Sequence, residues 1–125
     1  MTSVKELLAA ANQVVPRLAP EEAKKKMQEQ NLLILDVRDA PEVAQSGKVQ
    51  GAVNVSRGML EFRADPELPN YYDPAFQRDK TVLVYCASGG RSALAGKVLK
   101  EMGYKSVFNL GGFKELAEAG VATER

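Results

Sequence analysis

Apolar residues along this chain fall into two kinds of stretch, and the two alternate. Leu32-Leu33-Ile34-Leu35 and Thr81-Val82-Leu83-Val84-Tyr85 are short, nearly unbroken apolar runs. They read as strands buried on both faces, as in a parallel sheet. Elsewhere the apolar positions recur three and four apart. Leu7, Leu8 and Ala11 mark a helix from Val4 to about Gln13, and Leu94, Ala95, Val98, Leu99 and Met102 mark another that Gly103 ends. Pro20-Glu21-Glu22 is a good helix start, with proline in the first turn and acids at the positive end of the dipole; that helix should run to about Gln30. Ser106 to Leu110 reads as a strand, and Phe113 to Ala119 as a last helix stopped by Gly120.

Weaker signals fill the gaps. Val15 to Leu18 is a candidate first edge strand, Pro41 to Gln45 a short helix closed by Ser46-Gly47, and Gln50 to Val55 a third strand. Met59 to Phe62 suggests a helical turn. Asp65 to Asp79, with Pro66, Pro69 and Pro74, is the longest irregular segment. Strands alternating with helices predict an α/β domain: a mostly parallel five-stranded sheet with helices on both faces. The expected division is an N-terminal helical extension over 1–15 and the domain proper over 16–125. The extension could dock on the domain or on a second copy, giving a homodimer.

Composition narrows the chemistry. A chain of 125 residues suits one domain with a real core. Its 17 basic and 16 acidic residues are interspersed, which offers no basic surplus for nucleic acid or an anionic membrane. The apolar runs are far shorter than a membrane span, and the start is too polar for a signal peptide. The single cysteine excludes an internal disulfide, a CxxC redox pair and a cysteine zinc cluster, and fits a reducing, cytoplasmic setting. Histidine is absent, which removes Cys-His and Ser-His-Asp catalysis and most transition-metal sites. No metal or other cofactor is expected.

That cysteine stands where a strand stops and a helix starts, in Cys86-Ala87-Ser88-Gly89-Gly90-Arg91-Ser92. The first N–H groups of a helix lack partners within it, and its dipole is positive there. Glycines let the preceding backbone curl so that more N–H groups converge. Such a cradle holds an anion and depresses a thiol's pKa, so Cys86 is the candidate nucleophile. Arg91 is the second candidate catalytic residue, as a fixed charge with a forked donor. Ala87, Ser88, Gly89, Gly90 and Ser92 are candidate binding residues through the loop. Arg38 and Arg57 leave other strands at their C-terminal ends, where ligands bind in open α/β sheets, and are further candidates for the anion. Arg38 and Glu42 could instead pair with each other, and Asp36 reads as a carboxylate ordering nearby backbone.

The chain resembles a single-domain rhodanese from about Pro16 to Ala119. The resemblance rests on Leu35-Asp36-Val37-Arg38 with Glu42, on Gly47-Lys48-Val49-Gln50-Gly51-Ala52-Val53-Asn54-Val55, on the Cys86 loop, and on Val107-Phe108-Asn109-Leu110-Gly111-Gly112. Lys48 stands where the family commonly has histidine, and the tryptophan often found after the glycine pair is missing. The resemblance implies a rhodanese-like fold and a sulfurtransferase. Cys86 would take a sulfane sulfur from thiosulfate or a similar small anionic donor and carry it as a persulfide. A thiol, cyanide or a protein acceptor would then remove it. Two other readings share the fold. One is a protein-to-protein sulfur carrier or regulatory binding module with little thiosulfate activity. The other is a phosphatase or arsenate reductase, although the cell-cycle phosphatases have one more residue between Cys and Arg than the four found here.

Overall fold

A computed structural model describes all residues, 1–125. The strands are β1 (Leu32–Asp36), β2 (Lys48–Val49), β3 (Val53–Asn54), β4 (Thr81–Cys86), β5 (Ser106–Gly112) and β6 (Thr123–Glu124). The helices are α1 (Val4–Val14), α2 (Pro20–Lys26), α3 (Ala40–Ser46), α4 (Leu60–Arg63), α5 (Gly90–Glu101) and α6 (Phe113–Glu118). The main sheet is parallel, in the order β3-β1-β4-β5. Its centre is the pair of unbroken apolar runs, as expected of strands covered on both faces.

Side chains alternate between the faces of a strand, and the core divides accordingly. Leu33, Leu35, Val82, Val84, Cys86 and Val107 point to one face, with Ala95 and Leu99 of α5 in the same cluster. Leu83, Tyr85 and Leu110 point to the other, where Ala23 of α2 and Leu116 of α6 join them. The nucleophile candidate is thus a member of the hydrophobic core, one pleat beyond Val84. Helix α1 lies against α5 and buries Ala11, with Val15 just beyond its end. The crossing is close because α5 has a glycine there: a Cβ on Gly96 would lie 2.9 Å from Val15 Cγ1.

Four of the predicted five strands form the main sheet. The predicted edge strand at Val15 to Leu18 is reduced to one bridge between Arg17 and Asn109. Asn109 N donates to Pro16 O and Leu18 N to Asn109 O, both at 2.9 Å. Pro16 has no N–H with which to extend the ladder, and Pro20 opens α2 four residues later. The third strand is also shorter than expected, because Gly51 turns the chain at φ +81° before Val53 pairs with Leu35. Two residues of that predicted region's approach, Lys48 and Val49, pair antiparallel with Thr123 and Glu124 in a small second sheet. Helix α2 stops at Lys26, short of Gln30.

Candidate active site

Parallel strands all end at one edge, so the residues that follow them are gathered there whatever their distance in sequence. β4 delivers Cys86 to that edge, and α5 begins four residues later at Gly90. Gly89 makes the turn between them at φ +101°, a left-handed conformation that a side chain would strain. It is also hemmed in, since a Cβ there would sit 2.5 Å from Arg17 Nη1.

The turn brings Gly89 N to 3.0 Å from Cys86 Sγ, as a hydrogen-bond donor. Ser92 Oγ lies 3.4 Å from the same sulfur. Cys86 is only 1% exposed, and burial alone pushes its thiol up. The Ser92 hydroxyl and the backbone N–H groups of Ser92, Ser88 and Gly89 outweigh that burial, so the thiol titrates below its ordinary value. This is activation by hydrogen bonds from the loop, with no proton-accepting side chain involved.

The loop is held from beneath by Asn109, a residue to which the sequence reading assigned no role. Asn109 points to the Cys86 face of β5 and is fully buried. Its Oδ1 accepts from Ser92 Oγ at 2.8 Å and from Gly111 N at 2.9 Å, and its Nδ2 donates to Gly89 O at 3.0 Å. Every polar atom of the amide is used, and the loop's turn residue is tied to the strand next door. The available signal was a lone amide inside an apolar strand, which must be hydrogen-bonded if buried. Arg17 grips the loop from its outer side, with Nη2 donating to Ser88 O at 3.3 Å and 3.7 Å from Glu115 Oε1.

The arginines are not disposed as expected. Arg91 lies one residue into α5, and Glu42 of α3 holds it through two bonds, Nη1 to Oε1 at 2.7 Å and Nη2 to Oε2 at 3.0 Å. The Arg91 guanidinium, with a smaller contribution from the backbone of Asp39, draws the Glu42 carboxyl down to about 2. Glu42 therefore pairs with Arg91 and not with Arg38. Arg38 itself is 3% exposed and lies on the opposite face of the sheet from Cys86. Period-two alternation puts it there: Leu35 and Val37 share the Cys86 face, so Asp36 and Arg38 take the other. Its guanidinium packs 4.4 Å from the centre of the Phe113 ring and bonds Asp36, Ser46 Oγ and Gly47 O. Arg38 is a structural anchor and does not join the loop. Asp36 does order nearby backbone, accepting from Arg38 N at 3.0 Å. Arg57 opens a 3-10 turn, Arg57–Met59, that packs on α5, and its Nη1 donates to Glu61 at 3.0 Å. The structure brings together Cys86, the loop from Ala87 to Ser92, Arg91 with Glu42, and Asn109.

Comparison with known proteins accords with this geometry. The family model described as the rhodanese-like domain matches residues 19–119, four-fifths of the chain. The chain belongs to the rhodanese-like family. Helix α1 lies outside the matched span. The thiosulfate sulfurtransferase PspE of Escherichia coli is 40% identical over 83 residues, covering 66% of this chain and 72% of that protein. A solved structure from Rhodopseudomonas palustris, of a protein described as a possible tyrosine phosphatase, superposes with a TM-score of 0.90 at 39% identity, over 99% of this chain and 96% of that one. A polysulfide-sulfur transferase homodimer from Wolinella succinogenes superposes at 0.73 with 34% identity, over 96% of this rhodanese-like chain and 85% of that one.

Proposed function

We propose that this rhodanese-like protein is a sulfurtransferase whose Cys86 carries the transferred sulfur. The supporting observation is the turn around Cys86 Sγ, in which Gly89 N donates to the sulfur at 3.0 Å and Ser92 Oγ lies 3.4 Å from it. Cys86 thiolate attacks the outer sulfur of thiosulfate or a related donor. An S–S bond forms, and the bond behind that sulfur breaks, its electron pair leaving on sulfite. The sulfur left on Cys86 is anionic, and the loop's N–H groups stabilise it in a site that excludes water. No proton is transferred, so the absence of histidine costs nothing. A thiol, cyanide or a protein acceptor then takes the outer sulfur and restores the thiolate. The expected setting is a reducing one, such as the cytoplasm, where the thiol stays free.

The phosphatase description of the Rhodopseudomonas neighbour calls for a comparison of the two chemistries. A tetrahedral phosphoryl group fills a wider loop than a single sulfur atom does. Here four residues separate Cys86 from Arg91, and both forks of Arg91 are held by Glu42. These observations favour a single sulfur atom in the cradle. The test is the intact mass of the protein before and after thiosulfate or glutathione persulfide, with Cys86→Ser beside it. The wild type should gain one sulfur atom that cyanide removes, and Cys86→Ser should gain none. Equal uptake by Cys86→Ser, or turnover of p-nitrophenyl phosphate without sulfur uptake, would overturn the reading.

A second copy is the proposed partner of α1. Ala11 is buried against the domain, whereas Val4, Leu7 and Val14, seven, four and three residues from it along the same apolar stripe, remain 65%, 46% and 43% exposed. The homodimeric state of the Wolinella protein supports this.

A further inference from the structure

The arginines around the loop have a property in common that bears on which donor the site takes. Each is already matched by a carboxylate: Arg91 by Glu42, Arg57 by Glu61, and Arg17, more loosely, by Glu115. Arg38, the remaining candidate, is consumed by Asp36 on the far face. The sulfur itself is approached by uncharged groups, the N–H of Gly89 at 3.0 Å and the Ser92 hydroxyl at 3.4 Å. Arg91 is the cation whose charge couples to Cys86, and it couples to Glu42 and Asp39 as well. Glu42 thus already occupies, through two bonds at 2.7 and 3.0 Å, the guanidinium that the loop itself carries.

We propose that Glu42 is a specificity-determining residue: by holding Arg91 bidentate it disfavours dianionic donors such as thiosulfate and favours thiol persulfides, which present a single terminal sulfur. This rests on the sulfur-transfer reading above and deepens it. The chemistry at Cys86 is the same for both donors. Sγ bonds to the outer sulfur, and the bond behind it breaks with its electron pair leaving on sulfite or on a thiolate. What differs is the group behind that sulfur. A sulfonate brings charge to the rim of the loop, where it meets Glu42 or must displace it from Arg91. An alkyl thiol brings none at that point, so the existing pair is left intact. Thiosulfate is then a substrate bound weakly, and the persulfide one bound without that penalty.

Glu42→Gln tests this with little structural disturbance. Gln keeps the Oε1 acceptor that caps Asp39 N at 3.1 Å and can still accept from Arg91, but it carries no charge. The measurement is KM for loading Cys86 from thiosulfate and from glutathione persulfide, in wild type and variant. Removing the carboxylate charge that Arg91 now balances should shift the ratio of the two KM values about tenfold in favour of thiosulfate. A ratio that stays where it was, or falls in the other direction, overturns the proposal. Asp39→Asn is the second variant, since the Asp39 side chain makes no capping bond, and it should move the ratio the same way by less. Alkylation separates this proposal from the function it rests on. Iodoacetate is an anion and iodoacetamide is neutral, and both report on Cys86 without sulfur chemistry. Their rate ratio should rise in favour of iodoacetate in Glu42→Gln. An unchanged ratio rejects the charge gate even if sulfur is transferred, whereas a raised ratio with no sulfur uptake from either donor keeps the gate and rejects the sulfurtransferase.

Discussion

Ser92 is the place to test how the thiol is activated, because its hydroxyl has one hydrogen and two claimants. At rest that hydrogen goes to Asn109 Oδ1 at 2.8 Å, and the sulfur lies at 3.4 Å on the other side. When Cys86 ionises, the hydroxyl can turn and donate to sulfur, leaving Asn109 Oδ1 with Gly111 N–H. A hydrogen bond to a charged acceptor is worth about 1.5–3 kcal/mol, and the one surrendered to Asn109 about 1 kcal/mol. The net, about 0.5–2 kcal/mol, corresponds to about 0.4–1.5 pH units at 1.36 kcal/mol per unit. Ser92→Ala should raise the Cys86 midpoint by that amount. It strands no buried group, since the amide of Asn109 keeps its other partners. The assay is the rate of iodoacetamide alkylation against pH, with thiolate absorbance as a second probe. A midpoint that does not move would show that the hydroxyl stays with Asn109 and that backbone N–H groups alone activate the thiol. The linkage has a definite sign. A depressed thiol pKa means that the folded state binds fewer protons than the unfolded chain between the folded midpoint and about pH 8.5. Wild-type stability therefore gains with rising pH across that window, and is lost as pH falls through the folded midpoint. Ser92→Ala should gain less than wild type over the same window.

Two further outcomes follow from features away from the loop. Arg38→Met removes the partner of a fully buried carboxylate, Asp36, and should lower stability in urea by about 3–5 kcal/mol. Under native conditions its alkylation midpoint should match wild type, and a shifted midpoint would mean that Arg38 acts at the site after all. Leu7→Glu places a charge on the exposed part of the apolar stripe of α1 and should convert a dimer to a monomer in light scattering, with no change in the alkylation midpoint. A wild-type protein that is already monomeric at high concentration would refute the α1 interface.

The parts of the site that were legible in the sequence are those written locally. Cys86, Gly89, Gly90 and Arg91 are close neighbours, and a strand run on one side with helical spacing on the other suffices to place them at a strand-to-helix turn. The parts that were not legible are pairings across distance. Glu42 and Arg91 are 49 residues apart, and Glu42 had a nearer arginine, Arg38, as an equally plausible partner. Strand alternation could have decided between them, because it sends Arg38 to the face opposite Cys86. Asn109 in Val107-Phe108-Asn109-Leu110 is one polar residue within a strand run, and nothing adjacent in sequence names its partners. Only the turn on the neighbouring strand shows what it bonds. The pairing of β2 with β6 joins segments of two residues each, too short for any periodicity to reveal.

Asn109 also sets an order of events. Its backbone bonds Pro16 and Leu18 near the start of the chain, and its side chain bonds Gly89, Ser92 and Gly111. A chain emerging from the ribosome exposes Cys86 before Asn109 exists to organise the turn around it. Until β5 docks, that cysteine is an ordinary thiol, with neither the inward N–H groups nor the tethered hydroxyl. Its lowered pKa is consequently a property of the completed fold, and the nascent polypeptide carries no more than a common thiol until that strand is in place.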